Sequence, residues 1–446
     1  MNDTQRSSNV LNKQLRIAQL ARERPLECFT ALNHYLDLEW LEEAYRRVRG
    51  DSAPGYDGQT VLEYGKDLEK NLRSLLDRAK NGSYFAPPVL RVYIPKDDGK
   101  ETRPIGMPTV EDKILQRAVV MLLEAIYEQD FSSCSHGFRT GHSAHQALAY
   151  LWGQAMFVRV TWILDVDIRK FFDTLKHGCL MDILRQRVRD GVILRLIGKW
   201  LKAGVLEAGQ LSIPEDGTPQ GGIISPLLSN IYLHTVLDKW YSEQVKPCLK
   251  GRSFLVRYAD DFVMGFELQA DADKVFGVLF KRFEKYGLSL HPEKTRRVPF
   301  SRPDGWVAGG SDGTEPGTFD FLGFTHYWRR SRKGGWVLAR KTAQKRLSRA
   351  LLKISQWCRK SRDKPMREQV ETLGRKLKGH FGYYGITGNM RCLTQFRDGV
   401  IRIWRKWLDR RTGDRGSMSW ERMKRLLDFF YLPEARVVHS IYATKP

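Results

Sequence analysis

Two adjacent carboxylates set between two apolar runs constrain this chain more than any other feature. The stretch from Phe254 to Phe266 reads FLVRYADDFVMGF, with Asp260 and Asp261 between the runs Phe254–Tyr258 and Phe262–Phe266. Apolar, β-branched and aromatic runs broken by Asp predict a β-hairpin that turns near the acids. Asp is also a good turn residue, and a pair facing water would need no further explanation. The chemical alternative is sharper. Two carboxylates held side by side in a dry cleft repel one another, and a divalent metal offsets that repulsion. The other segments decide between the two readings.

A third acid comes from Trp162-Ile-Leu-Asp-Val-Asp-Ile-Arg-Lys-Phe-Phe-Asp173, which begins as a strand and passes into a loop or helix. Asp165 and Asp167 are two apart and on a strand would share a face. A buried strand carrying two acids is unusual unless they are paired or bind metal. Upstream, Val89 to Pro108 predicts a strand to Ile94, a turn at Asp98-Gly99 and a return through Arg103. That hairpin brings Lys96 and Arg103 together, either as solvated surface or as a triphosphate clamp in which Arg offers a fork and Lys a point charge. Asp216-Gly-Thr-Pro-Gln-Gly-Gly222 combines turn formers, and a helix start follows at Ser225-Pro226. Gln220 with Gly221-Gly222 suits close approach of backbone to a ligand. His136, His142 and His145 match no metal-ligand spacing and read as structural.

Helical spacing predicts helices within 9–49 and over 60–80, 110–127, 192–203 and 270–287, with Asn81-Gly82 ending the second. Residues 301–318 are Gly-rich and read as a loop. From 341 onward, apolar stripes such as Leu347, Leu351, Ile354 and Cys358 alternate with basic faces.

Composition narrows the partners. The 446 residues allow two to four domains, and 42% hydrophobic residues suffice for a buried core. The net charge of +23 points to a polyanion. Residues 329–425 hold 29 Lys and Arg against 7 Asp and Glu, so nearly all the excess lies there and the first 328 residues are close to neutral. This predicts a catalytic body followed by a nucleic-acid-binding end. No apolar run reaches 18 residues, the first twenty residues lack a secretory core, and the six cysteines form no CxxC pair. The expectation is a cytoplasmic protein of a bacterium with reduced thiols and no membrane partner.

In order along the chain stand Ala53-Pro-Gly-Tyr-Asp-Gly58, Ile94-Pro-Lys96 with Arg103-Pro-Ile-Gly-Met-Pro108, and Ser135-His-Gly-Phe-Arg139. Asp167-Ile-Arg-Lys-Phe-Phe-Asp173, Gly217-Thr-Pro-Gln-Gly-Gly222 with Ser225-Pro-Leu-Leu-Ser-Asn230, and Tyr258-Ala-Asp-Asp261 follow, then Leu290-His-Pro-Glu-Lys-Thr295 and Phe321-Leu-Gly-Phe324. Each is weak alone, but the ordered set, covering roughly 30–325, resembles the group II intron reverse transcriptases, or maturases. The resemblance implies an α+β right-hand polymerase. Residues 1–155 would form an N-terminal extension and fingers, and 156–330 the palm, with part of the fingers at about 178–215. Residues 331–400 would form the helical thumb or maturase X region, and 401–446 a short basic DNA-binding tail. It implies two Mg²⁺ ions held by Asp167, Ile168, Asp260 and Asp261, with the three aspartates catalytic. Lys96 and Arg103 would hold the triphosphate, Gln220 the nucleotide, and Phe172 would lie under the sugar as a gate against a 2′-hydroxyl. The basic clusters Arg329, Arg330, Arg332 and Lys333, and Arg375, Lys376 and Lys378, would bind nucleic acid. The implied partners are group II intron RNA, an RNA template with a DNA primer, dNTPs and target DNA, in retrohoming and assisted splicing. Longer relatives carry a Cys/His-bearing endonuclease domain that this sequence lacks, so the primer is expected from elsewhere, such as nascent DNA at a replication fork. A polymerase co-opted for host defence or repair, and a non-catalytic splicing maturase, are the competing readings.

Overall fold

The computed structural model describes residues 3–95, 102–207, 209–213, 215–218, 221–303, 316–411 and 417–440. They fall into two compact units. The first comprises Met1–Ala147, Val166–Met264 and Leu268–Arg297; the second comprises Leu148–Asp165, Gly265–Glu267 and Val298–Pro446. Helices and strands are mixed throughout, as an α+β chain requires.

The strands, in chain order, begin with β1 (Val89–Pro95), β2 (Thr102–Met107), β3 (Trp162–Val166) and β4 (Ile168–Arg169). Next come β5 (Val205–Glu207), β6 (Gln210–Ser212), β7 (Ser253–Tyr258), β8 (Asp261–Phe266) and β9 (Ser289–Leu290). Last are β10 (Arg296–Pro299), β11 (Phe319–Phe321), β12 (Phe324–Arg330) and β13 (Trp336–Thr342). They form sheets of order β2-β1-β5-β6, β10-β3-β8-β7 and β11-β12-β13, with β4 and β9 as a separate pair.

In the first unit the helix Val110–Asp130 is the core element. Ile114, Leu115, Ala118, Val119, Leu122, Leu123 and Ile126 along it are fully buried. It starts at Thr109, whose side chain accepts from the Asp112 N–H. The helix Leu38–Arg47 packs on it, and the buried Trp40 Nε1–H donates to the Ala118 carbonyl at 2.9 Å. The helix Leu68–Asn81 ends at Gly82, where φ is +90°, as the Asn-Gly pair predicts. The helix Ser225–Leu233 continues into wider π turns over His234–Lys239 and Tyr241–Val245.

In the second unit three helices, Gln344–Lys360, Met366–Tyr384 and Met390–Asp409, enclose Leu347, Ile354, Leu373, Leu377, Phe381, Phe396, Val400 and Trp404. The Trp404 Nε1–H donates to Gln369 Oε1 at 3.0 Å, satisfying both groups inside the core. Among the described residues no helix is long and apolar enough to cross a membrane.

Candidate active site

The acid pair sits at the hairpin that its sequence demands. β7 and β8 are buried along nearly their whole length, leaving Ala259 and Asp260 as the turn between them. Ala259 has φ +58°, a left-handed conformation that costs a residue with a Cβ roughly 1–2 kcal/mol. Asp260 is half-buried and Asp261 exposed. Burial, and then the facing charge of Asp167, hold the Asp260 carboxyl above its ordinary range, while Arg103 and Arg257 pull the other way. Asp167 and Arg103 are therefore each within electrostatic reach of Asp260.

Asp167 is presented differently from the sequence expectation. β3 stops at Val166, so Asp165 is a strand residue while Asp167 falls in the break before β4. Backbone partners from the segment after β9 take over there: the Asp167 N–H donates to Thr295 Oγ1 at 3.4 Å, and its carbonyl accepts from the His291 N–H at 2.8 Å. Its carboxylate pairs with the Lys294 ammonium at 3.0 Å. Both side chains are about half exposed, so the pair adds little stability, but it places a cation against the acid. Ile168 is buried in β4 opposite Leu290. Sequence reasoning quoted Lys294 within its motif without a role; the signal was its place beside the His291 and Thr295 that hold Asp167.

Asp167, Asp260 and Asp261 supply hard carboxylate oxygens of the kind Mg²⁺ takes, and burial, with a smaller part from the Asp167 charge, raises the Asp260 carboxyl. The donor chemistry thus fits the ion. Among the described residues, however, no three carboxylate, imidazole or thiol side chains converge closely enough to hold a metal as they stand.

A cavity of about 340 Å³ is lined by Arg91, Gly106, Lys170, Phe172, Asp173 and Thr218, among others. That is within the size range of small-ligand sites. Arg103 lies opposite Ile94 in the β1–β2 hairpin. Phe172 is half-buried in the short helix Phe171–Thr174, and its carbonyl accepts from the Thr218 N–H at 2.7 Å. Gly217, at φ +89°, makes that approach possible, since a Cβ there would stand 2.8 Å from the Phe172 carbonyl oxygen. Lys96 and Gln220 lie outside the described residues. The cavity adds Arg91 and Lys170, which sequence reasoning missed.

The basic clusters are displayed outward. Arg329, Arg330, Arg332 and Lys333 are all exposed around the β12–β13 connection, with the Arg330 guanidinium 5.5 Å over the Trp336 ring. Arg375, Lys376 and Lys378 are exposed on the helix whose Leu373 and Leu377 enter the core. Arg375 and Lys378 also line a cavity of about 1100 Å³ together with Tyr431 and Arg436.

Comparison with known proteins identifies the family of the chain. Residues 94–326 match the family model described as reverse transcriptase (RNA-dependent DNA polymerase). The chain is 35% identical to protein YkfC of Escherichia coli (strain K12) over 334 residues, 66% of this chain and 82% of that protein. It is 39% identical to the group II intron-encoded protein LtrA of Lactococcus lactis subsp. cremoris over 231 residues, 50% of this chain but 37% of LtrA. Nuclear intron maturase 4, mitochondrial, of Arabidopsis thaliana is 28% identical over 43% of this chain and 25% of that protein.

Proposed function

Because the chain belongs to the reverse transcriptase (RNA-dependent DNA polymerase) family, we propose that it is the protein of a group II intron, copying intron RNA into DNA for retrohoming and assisting that RNA to fold and splice. The observation that carries the polymerase reading is the acid pair Asp260 and Asp261 at the turn of the buried hairpin β7–β8. The intron reading draws on the ordered motifs and on the similarity to LtrA.

In this reading 1–155 forms an N-terminal extension and fingers, 156–330 the palm, 331–400 the thumb and 401–446 a basic DNA-binding tail. Asp167, Asp260 and Asp261, with Ile168, would hold two Mg²⁺ ions. When bound, the metal lowers the pKa of the primer 3′-hydroxyl and offsets charge on the departing pyrophosphate. The protein's own groups do the rest. Arg103 and Lys96 orient the triphosphate, Arg by its fork and Lys as a point charge. Gln220 contacts the nucleotide, and Phe172 excludes a 2′-hydroxyl by filling the space below the sugar. Lys294, paired with Asp167, sets how much negative charge the acids present. The clusters at 329–333 and 375–378 bind phosphates of intron RNA and template–primer, and the tail binds target DNA.

Primer extension with dNTPs on an RNA template, run beside a splicing assay with the flanking intron RNA, tests both halves. DNA synthesis and faster splicing are expected. Synthesis without any effect on splicing would leave the polymerase and remove the maturase.

A further inference from the structure

The catalytic turn is held from beneath by a fully enclosed set of polar groups that the reaction itself does not use. Arg257 lies on β7, completely buried, three residues before Asp260. Its Nε and Nη2 donate to the two carboxylate oxygens of Asp238 at 2.8 and 2.5 Å, a bidentate pair. Its Nη1 donates to Asn230 Oδ1 at 2.9 Å and to the Ala259 carbonyl at 3.0 Å. The Asn230 Nδ2–H in turn donates to the Gly137 carbonyl at 2.7 Å. Gly137 is pressed against the turn itself: a Cβ there would overlap the Ala259 nitrogen and stand 2.8 Å from the Tyr258 carbonyl carbon.

We infer that Arg257, fixed by Asp238 and Asn230, is a positioning residue for the catalytic turn, gripping the Ala259 carbonyl so that Asp260 and Asp261 are presented in one orientation. The inference rests on the polymerase reading above for the meaning of the two acids, but not for the brace.

Three observations favour this over a purely structural ion pair. A buried ion pair is a poor source of net stability, and apolar side chains of similar volume generally serve a core at least as well. What apolar side chains cannot do is donate to the Ala259 carbonyl, the peptide group that leads directly into Asp260. Next, Ala259 is strained at φ +58°, and such a residue persists only where its surroundings over-determine it. The Arg257 donor on one side and the Gly137 backbone on the other supply that constraint. Finally, Asp238 belongs to the π-helical segment His234–Lys239, a widening of the helix that is found disproportionately at functional positions.

The test is Arg257→Lys, which keeps the charge but has three donors for the four hydrogen bonds that Arg257 makes and no planar fork for Asp238. With the full chain on poly(rA) primed by oligo(dT), kcat for dTTP incorporation should fall at least tenfold while KM for dTTP stays within about twofold. Amide hydrogen exchange, which needs no activity, should quicken at 258–261 and leave β7 and β8 protected. Adding Ala259→Gly should recover at least threefold in kcat, because glycine takes a positive φ without strain. If Arg257→Lys fails to fold, Asn230→Leu should show the same localised exchange with a smaller loss of kcat. Wild-type kcat and exchange in the variant that folds, exchange quickened along both strands, or no recovery with Ala259→Gly would each overturn the brace. A wild-type protein without synthesis, combined with localised exchange in the variant, would instead overturn the polymerase reading and keep the brace.

Discussion

Asp112 is completely enclosed, and the Tyr84 O–H, the Trp200 Nε1–H at 2.6 Å and the Gln116 Nε2–H at 3.1 Å all donate to its carboxylate. Burial outweighs those donors and pushes the carboxyl from an ordinary 3.8 up to about 6. The folded protein therefore holds this proton more tightly than the unfolded chain does. The stabilisation it brings is fully present below about pH 4 and is lost as pH rises through about 6. Unfolding measured at pH 4 and pH 7 should show wild type losing up to ~3 kcal/mol relative to Asp112→Asn across that window. Parallel profiles would mean that Asp112 ionises as an ordinary carboxyl. The group matters beyond stability because Gln116 also accepts from the Ile224 N–H at 3.3 Å, tying this core to the loop after Gly222. Phe172 lines the 340 Å³ cavity. Phe172→Ala should raise the ratio of ribonucleotide to deoxyribonucleotide incorporation at least tenfold. An unchanged ratio in an active variant would assign the gate to another residue.

At the scale of elements, the hairpin β7–β8 was legible because two apolar runs flanking an acidic turn have few other ways to fold, and β7 and β8 bury those runs as expected. The helices Leu68–Asn81 and Gln269–Lys285 followed from their apolar spacing, although the helix expected over 60–80 is broken: Val61–Tyr64 and the turn Gly65–Asp67 precede Leu68. The helix Ala144–Phe157 gave no such stripe, since AHQALAYLWGQAMF is apolar on nearly every side, and periodicity carries no signal where both faces are apolar. The position of Asp167 was also hidden. A break between β3 and β4 depends on partners at His291 and Thr295, more than a hundred residues away, which no local pattern encodes. The same holds for Arg257, whose meaning comes from its hydrogen bonds to Asp238 and Asn230, 19 and 27 residues earlier in the chain. Where local pattern does speak, it yields a test. The helix Met366–Tyr384 buries Leu373 and Leu377 and exposes Arg375 and Lys378. The paired change Arg375→Glu with Lys378→Glu should weaken RNA binding and flatten the plot of log affinity against log salt, by about 0.7–0.9 per lost phosphate contact. The unfolding midpoint should stay put, because neither side chain enters the core. An unaltered slope would move phosphate binding to other surfaces.

Over the whole molecule, the charge and the acids are divided along the chain. Nearly all of the +23 net charge lies within 329–425, whereas Asp167, Asp260 and Asp261 belong to the near-neutral first 328 residues. Chemistry and RNA affinity should then be separable by mutation. Removing an acid should abolish synthesis and leave RNA binding and splicing assistance intact, and removing the basic clusters should do the reverse first to affinity and then to processivity. The most direct test is DNA synthesis on an RNA template with Mg²⁺, comparing wild type with Asp260→Ala and Asp261→Ala at matched RNA occupancy. Loss of one carboxylate ligand is expected to remove roughly 4 kcal/mol of transition-state stabilisation, a fall of about 10³-fold in rate, with RNA affinity unchanged. Near-wild-type extension by either variant would contradict the assignment of the active site to the turn at Asp260 and Asp261.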